Sequence, residues 1–321
     1  MSMKVPPFTL VQLHYFAAAV DCGSMTAASR ELMVSQSAVS TAIAQLEKAL
    51  GVTLVLRHHA HGLALTAAGR AFHSELRAFL AHSQELADTA ANAGQVLVGD
   101  LTVGCFATLA PFQLPRILAR SREAHPAVSV HVLEAEHAEL KRALRTGACE
   151  VALAYGYDLE EDLVPTHIGA AAPYALVPEH HRLAGRAAVA LRDLVDDPMI
   201  LLDLPHSADY FLSLFADRRL EPLVRHRSTG FETVRALVAA GEGFAVLNQK
   251  PSNDTTYNGQ RVVTVPISDG IAPLDVVLVR LRGARATRKA EAFMRLCVET
   301  YQASEPGAEE SSHHGGHHQI R

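Results

Sequence analysis

Small hydrogen-bonding side chains, rather than charged ones, characterise the segment SQSAVSTAIAQLEKAL at residues 35–50. Ser35 is suited to begin a helix, because its hydroxyl can accept a hydrogen bond from a free N–H group of the first turn. Apolar residues at helical spacing then predict one buried stripe, formed by Val39, Ile43, Leu46 and Leu50. The residues beside that stripe form an uncharged face that can donate and accept hydrogen bonds: Gln36, Ser37, Ser40 and Thr41.

Short helices and a hairpin surround this segment. LVQLHYFAAAVDC predicts a first helix that stops at Gly23, and MTAASREL predicts a second helix capped by Ser24. After Gly51, VTLVLRHHAHGLALT is typical of two strands joined by a turn at His61 and Gly62. Three helices followed by a hairpin are the plan of a winged helix-turn-helix domain, which we place at residues 8–66, with the helix-turn-helix at 24–43.

One long linker helix is predicted at residues 67–94. Its apolar and small residues alternate in steps of four and three, which is typical of a coiled-coil seam: Phe72, Leu76, Phe79, Ser83, Leu86, Ala90 and Ala93. The alternative is an amphipathic helix that packs on its own domain. A narrow stripe on a long helix between two compact regions favours a partner helix, so we expect a homodimer through this linker.

From Leu97 onward strands and helices alternate. The strands LTVGCF, VSVHVLEA and EVALAYG are separated by two predicted helices, and this βαβαβ order implies parallel strands. The pattern restarts at PYALVPEH and runs to a terminal helix, RKAEAFMRLCVETY. We therefore predict an α/β fold overall, with a bilobed domain at 95–303: lobe I at about 95–165 and 270–303, and lobe II at about 166–269.

Composition narrows the class of protein. The formal charge of −5 argues against indiscriminate coating of nucleic acid but leaves room for a local DNA-binding surface. Four widely spaced cysteines suit free thiols in a reducing compartment. No apolar run approaches the roughly 18 residues of a membrane span, and MSMKVPPF lacks the apolar stretch of a signal peptide. We expect a soluble, cytoplasmic protein with no membrane partner, and a disordered His-rich tail at 304–321.

The segment from Phe16 to Arg70 resembles the N-terminal domain of LysR-type transcriptional regulators, through the helix-turn-helix, the passage LEKALGVTLVLR and the opening LTAAG of the linker helix. The α/β pattern is similar to the effector-binding domain of that family, which has a periplasmic-binding-protein-like fold, so the resemblance covers residues 8–303. It implies a non-enzymatic regulator of double-stranded promoter DNA, controlled by an unidentified small-molecule effector in the interlobe cleft. It also implies a homodimer that pairs into a homotetramer, with RNA polymerase as a candidate partner.

In such a regulator the polar helix would enter the major groove, where Gln can bond an adenine edge and Ser or Thr can bond several bases. The family often has proline near Ser37 and basic residues where Thr41 and Ala44 stand, so the wing would have to supply phosphate contacts, for example through Arg57. Arg30 is equally suited to a phosphate contact or a plain surface charge, and a merely solvated polar face is the alternative for the group. The expected DNA-binding residues are Ser24, Thr26, Arg30, Ser35, Gln36, Ser37, Ser40, Thr41, Arg57, His58 and His59.

The resemblance places the effector near GCFATLAP, AYGYD, DLPHSADYF and STGFET. Thr108 and Ser207 stand at predicted helix starts, where backbone N–H groups can hold an acceptor such as a carboxylate. Asp203, Asp209 and Glu232 lie in the same segments and would suit an amine instead. The candidate effector residues are Phe106, Thr108, Tyr155, His206, Ser207, Tyr210, Phe231 and Asn248, with core packing or helix capping as the alternative for each.

Other functional classes explain less of the chain. The histidines of RHHAHG and HHGGHH could bind metal, but we expect no functional metal site. Cys105 could be a redox sensor, although a buried thiol is the simpler interpretation. An enzyme or a solute-binding protein would leave residues 8–66 unexplained, and no nucleophile elbow, P-loop or dinucleotide motif is present. We expect no catalytic residues and no cofactor.

Overall fold

The computed structural model describes residues 6–58, 62–91 and 96–303. The first unit contains α1 (Leu10–Asp21), α2 (Met25–Glu31), α3 (Gln36–Leu50), β1 (Val55–His58) and β2 (Gly62–Leu65), and the two strands pair antiparallel. The hydroxyls of Thr9, Ser24 and Ser35 accept backbone N–H groups and so begin the three helices. The predicted winged helix-turn-helix is confirmed.

A single long helix, α4 (Ala67–Ala91), follows the wing. Its first turns pack on the winged unit, because the Phe72 ring meets Phe16 edge-on at 5.6 Å between centroids and Leu76 is buried. Further along, Phe79 and Leu86 remain 51% and 72% exposed. One end of the helix therefore packs on its own domain, and further along the helix presents apolar side chains outward.

The chain then builds most of lobe I with β3 (Gly99–Phe106), α5 (Ala110–Ala124), β4 (Val128–Ala135), α6 (His137–Thr146), β5 (Val151–Tyr155) and β6 (Leu163–Ala171). Lobe II follows with β7 (Tyr174–Pro178), β8 (Pro198–Leu202), α7 (Ser207–Ala216), β9 (Leu223–Ser228), α8 (Phe231–Ala239), β10 (Ala245–Leu247) and β11 (Val262–Pro266). The chain returns to lobe I with β12 (Leu274–Leu281) and α9 (Arg288–Gln302). These elements confirm the predicted α/β fold.

The sheets show which strand ends meet. Lobe I has the strand order β4-β3-β5-β12-β6, in which β3 runs parallel to both β4 and β5 and β12 runs antiparallel. Lobe II has an antiparallel set β10-β7-β11 and a parallel pair β8-β9, linked by a bridge between Met199 and Phe244. The carboxyl ends of β3, β4 and β5 therefore share one edge of lobe I.

Strand β6 was not predicted from the sequence. It contains Pro165 and two exposed polar residues, Thr166 and His167, a pattern tolerated at the edge of a sheet, where β6 lies. Because β6 extends to Ala171 and pairs with β12, the first crossing between the lobes falls near residue 172 rather than near residue 165.

The linker helix α4 contacts both neighbouring units. Asp21 at the end of α1 accepts a 2.8 Å hydrogen bond from Arg77 on α4. On the other side Arg77 packs on Gly147, which ends α6 with φ of 69° and where an added Cβ would overlap the Arg77 side chain. Further along, the Glu85 carboxylate accepts the backbone N–H of Arg288 at 2.6 Å, at the first turn of α9. Arg77 and Glu85 thus connect the winged unit to lobe I.

Candidate functional site

The polar face predicted for α3 is formed as expected by the helix that follows Ser35. Gln36, Ser37 and Thr41 are exposed, and Ser40 is half-buried. The Ser35 hydroxyl accepts the N–H of Ala38 at 3.1 Å and lies 2.9 Å from the Ser37 hydroxyl. The opposite side of the helix is buried in the core of the winged unit, so this face is rigidly supported and turned to solvent.

The neighbouring candidates flank that face on α2 and on the wing. Ser24 caps α2, while Thr26 and Arg30 are exposed on it. The wing is tied to the start of α2 because the N–H of Leu63 donates to the carbonyl of Gly23 at 3.1 Å. The side chains of Arg57 and His58, and the whole of His59, lie outside the described residues.

A hydrogen-bonded chain crosses from lobe I to lobe II. The Thr108 hydroxyl lies 3.3 Å from the Tyr155 hydroxyl, which donates to Oδ1 of Asn248 at 3.2 Å. Thr108 and Tyr155 are both buried, and burial raises the pKa of Tyr155. The structure thus brings these three candidates together, and the Tyr155 hydroxyl bonds directly to lobe II.

Two more candidates lie at the same junction. Phe231, the first residue of α8, meets Phe112 of α5 edge-on, with 5.5 Å between ring centroids. Phe106 is fully buried and packs between the rings of His137 and Tyr155, at 4.8 and 5.5 Å. Phe106 therefore forms the wall behind the junction.

The start of α7 supplies the remaining three candidates. His206 precedes the helix with a positive φ of 63°, and its Nε2 lies 3.4 Å from Oδ2 of Asp158 in lobe I. Ser207 is buried, and the buried hydroxyl of Tyr210 has no hydrogen-bond partner among the described residues. The α7 start thus faces lobe I with one imidazole–carboxylate contact and two hydroxyl groups.

Two residues at this junction were missed by sequence reasoning. His137 begins α6 just after β4, and Tyr157 follows β5, so both stand at the carboxyl ends of parallel strands, as Thr108 does. Their rings lie 4.5 Å apart. Burial lowers the pKa of His137 to about 4 and raises the pKa of Tyr157 to about 12, which keeps both side chains uncharged. The strand-end rule that selected Thr108 would have selected both, had it been applied to β4 and to the whole of AYGYD.

Two family models match the chain. The model "Bacterial regulatory helix-turn-helix protein, lysR family" matches residues 10–70, and "LysR substrate binding domain" matches residues 94–302. Together they cover the winged unit and both lobes. The chain belongs to the LysR family of transcriptional regulators. The resemblance inferred from the sequence is confirmed, and with it a non-enzymatic, DNA-binding regulator that has an effector-binding domain.

Known LysR-family proteins resemble this regulator along most of their length. The PA01 protein of Pseudomonas aeruginosa is 37% identical, with 92% of this chain and 99% of that chain covered at a TM-score of 0.62. HinK from the same organism is 36% identical over the same shares, also at 0.62. The hydrogen peroxide-inducible genes activator of Dickeya chrysanthemi is 26% identical over 236 residues, which are 73% of this chain and 77% of that protein.

Neither a membrane-spanning helix nor a metal-binding cluster is found in the part of this regulator that the structure describes. None of its described helices is both long and apolar enough to cross a membrane. Within residues 6–58, 62–91 and 96–303, no group of three or more His, Cys, Asp or Glu side chains is arranged to hold a metal ion. Most of the histidine-rich turn and all of the tail at 304–321 fall outside these ranges.

Proposed function

We propose that this LysR-family regulator binds promoter DNA as a homodimer, and that a small molecule bound between its lobes changes that complex. The observation that carries the proposal is the exposed, uncharged face of α3 at residues 36–41, in a chain that links the same domain to a two-lobed junction. DNA binding by the helix-turn-helix is a property of the family. We propose which residues contact the DNA, that the protein assembles as a homodimer, and that a ligand controls the complex.

On DNA, α3 would lie in the major groove with its N-terminal residues against base edges. Gln36 offers a bidentate amide, and the hydroxyls of Ser37, Ser40 and Thr41 offer shorter contacts. Arg30 on α2 and Arg57 in the wing would contact phosphates, which position the domain without reading sequence. Ser24 and Ser35 already accept hydrogen bonds from backbone N–H groups of α2 and α3. We therefore assign them to capping these two helices.

The exposed end of α4 supports the dimer. Phe79 and Leu86 lie one heptad apart, so both face the same side of the helix. Next to them, a surface groove of about 590 Å³ runs between α1 and α4 and is lined by Leu10, Val11, Leu80 and Ser83 among others. We assign this surface, whose lining is partly apolar, to a second α4 helix. Association of two such dimers through their effector domains would give a homotetramer.

Ligand control would act at the interlobe junction. Tyr155 with Asn248, Phe112 with Phe231, and His206 with Asp158 each connect one lobe to the other. A ligand bound among these contacts changes the lobe arrangement only to the extent that it binds one arrangement more tightly than another. Because Arg77 and Glu85 join lobe I to α4, such a change would reach the dimer and the spacing of its two α3 helices.

Peroxide sensing through cysteine is the second candidate, since one relative is named for peroxide-inducible genes. Oxidation requires a thiolate that is accessible. Burial raises the pKa of Cys149 to about 12 and also raises the pKa values of Cys105 and Cys297. Cys22 is the one partly exposed thiol among the described cysteines, and its hydrogen bond to Glu31 raises its pKa to about 11. The structure therefore favours a bound metabolite over a reactive thiol.

Footprinting of the full chain on the DNA beside its own gene tests the proposal. We expect a protected region with two half-sites on one face of the duplex, at a spacing of whole helical turns. Absence of a protected site at several salt concentrations would contradict it.

A further inference from the structure

Three buried polar atoms at the lobe junction have no hydrogen-bond partner among the described residues: Nε2 of His137 and the hydroxyl oxygens of Tyr157 and Tyr210. Ser207 is close to the Tyr157 hydroxyl, but not at hydrogen-bond geometry. An unpaired buried polar group loses its hydration without compensation, and folded proteins retain few of them. Three such atoms on facing elements of two lobes indicate a place that a ligand completes.

These atoms lie among stacked and tilted aromatic rings. His137 and Tyr157 are 4.5 Å apart, with 32° between their planes, and Tyr157 stacks on Tyr155 at 6.0 Å and 14°. His206 of lobe II approaches Tyr157 and His137 at 6.4 and 6.3 Å. We call these rings, together with Phe106 behind His137, the ring cluster: Phe106, His137, Tyr155, Tyr157 and His206.

The charges beside the ring cluster are already paired. Lys141 donates to Asp158 at 2.7 Å and lies 3.2 Å from Glu160, and His206 faces the same Asp158 carboxylate. In lobe II the buried Arg235 is bound to Glu232 at 2.7 Å, and Asp209 already occupies the first turn of α7. A carboxylate or an ammonium group entering the cluster would therefore lose its hydration without gaining an unpaired counter-charge.

We propose that the effector carries an uncharged planar ring with a hydrogen-bonding substituent, such as a hydroxyl group, and that this ring binds at the ring cluster. The assignment rests on the proposed function, because the cluster lies at the junction given to the effector. The ring would stack on Tyr157 or His137, and its substituent would pair with the atoms that lack partners. Because the cluster contains side chains of both lobes, entry of the ring must separate His206 from Tyr157, which couples binding to lobe movement.

Matched naphthalene probes test this chemistry directly on the full chain. The protein has no tryptophan, so the fluorescence anisotropy of 2-naphthol and of 2-naphthoate can be followed without a protein indole signal. We expect 2-naphthol to bind at least about tenfold more tightly than the charged 2-naphthoate, because only the second buries an unpaired charge. Tyr157→Phe should weaken 2-naphthol binding by about fivefold to tenfold, the effect of one lost hydrogen bond.

The matched control is Tyr301→Phe, because the Tyr301 hydroxyl is also buried and without a partner but packs against Gly169 in the core of lobe I. It should leave the affinity for 2-naphthol unchanged. Equal or tighter binding of 2-naphthoate, no binding of 2-naphthol, or equal effects of the two tyrosine variants would overturn the inference.

The two proposals can fail separately. If the regulator binds its footprinted DNA and a charged metabolite, but not 2-naphthol, releases or tightens that complex, the proposed function stands and the ring inference is wrong. If 2-naphthol binds as expected while no DNA site is protected, the ring preference of the cluster stands and the proposed function is wrong.

Discussion

His206 of lobe II and Asp158 of lobe I both have left-handed backbone conformations, with φ of 63° and 51°, and their side chains meet at 3.4 Å across the lobe junction. A non-glycine residue in this conformation costs about 1–2 kcal/mol, and such strain is often retained at functional contacts. The Lys141 ammonium group donates hydrogen bonds to the carboxylate and to the backbone carbonyl oxygen of Asp158, and so holds Asp158 in place. The two lobes are therefore joined by a contact between two strained residues.

Glycine substitutions at His206 and at Arg219 together separate strain from contact. His206→Gly relieves the left-handed backbone but removes the ring that packs near Tyr157 and contacts Asp158. We expect a change in unfolding free energy within about 1 kcal/mol, because relief of strain opposes the added entropy of the unfolded chain. Hydrogen exchange at residues 155–158 should nevertheless become faster. Arg219→Gly is the control, since Arg219 has φ of 58° but is exposed after α7; equal exchange in both variants would contradict a role of His206 in joining the lobes.

Acid should destabilise the effector domain through His137. Its pKa is lowered to about 4 chiefly by burial, so between about pH 6.5 and pH 4 the unfolded chain takes up a proton at this imidazole and the folded chain does not. Stability therefore falls as pH falls through that window, by up to about 3 kcal/mol from this group. Urea unfolding across the window should show that wild type loses up to about 3 kcal/mol more stability than His137→Phe as pH falls, whereas the exposed His131→Gln measures the background. Parallel curves for wild type and His137→Phe would refute the assignment.

Gly147→Ala should disturb the contact between α4 and lobe I. Gly147 and Gly51 end their helices with nearly the same backbone, φ of 69° and 70°, so an alanine costs about 1 kcal/mol at either position. Only at Gly147 does the new methyl group overlap Arg77; nothing lies within 4 Å at Gly51. We expect Gly147→Ala to be the more destabilising of the two, with faster hydrogen exchange in the first half of α4. Equal effects of the two alanines would show that the packing of Arg77 on Gly147 does not matter.

Phe79→Glu should dissociate the proposed dimer. The ring is half-exposed on the face of α4 that we assign to the partner helix, and a carboxylate there would be desolvated without a counter-charge. Sedimentation velocity should give monomers for Phe79→Glu and an unchanged dimer or tetramer for Tyr257→Glu, whose side chain is 94% exposed on lobe II. An unchanged assembly of Phe79→Glu would remove α4 from the interface.

The sequence predicted most elements because caps, apolar periods and strand–helix alternation are local signals. It missed β6, where Pro165 and polar residues hide an edge strand that only pairing with β12 reveals. The apolar stripe of α4 was recognised, but the spacing of apolar residues does not tell what covers each end of the helix. In the structure Phe72 packs on Phe16, while Leu86 remains exposed. His137 was missed because the strand-end rule was not applied to β4, although its contact with Tyr157 after β5 appears only once the two strands are placed side by side.

The most direct test of the central claim compares two glutamines of the same helix. Gln36 lies at the exposed N-terminal end of α3, whereas Gln45, also exposed, accepts a hydrogen bond from Gln12 at 3.0 Å. Fluorescence anisotropy on the footprinted duplex and on a scrambled duplex should show that Gln36→Ala loses about 1–3 kcal/mol of specific binding, with little change on scrambled DNA. Gln45→Ala should keep the wild-type affinity on both. If the two variants behave alike, or if Gln36→Ala weakens both duplexes equally, α3 does not read base sequence as we propose.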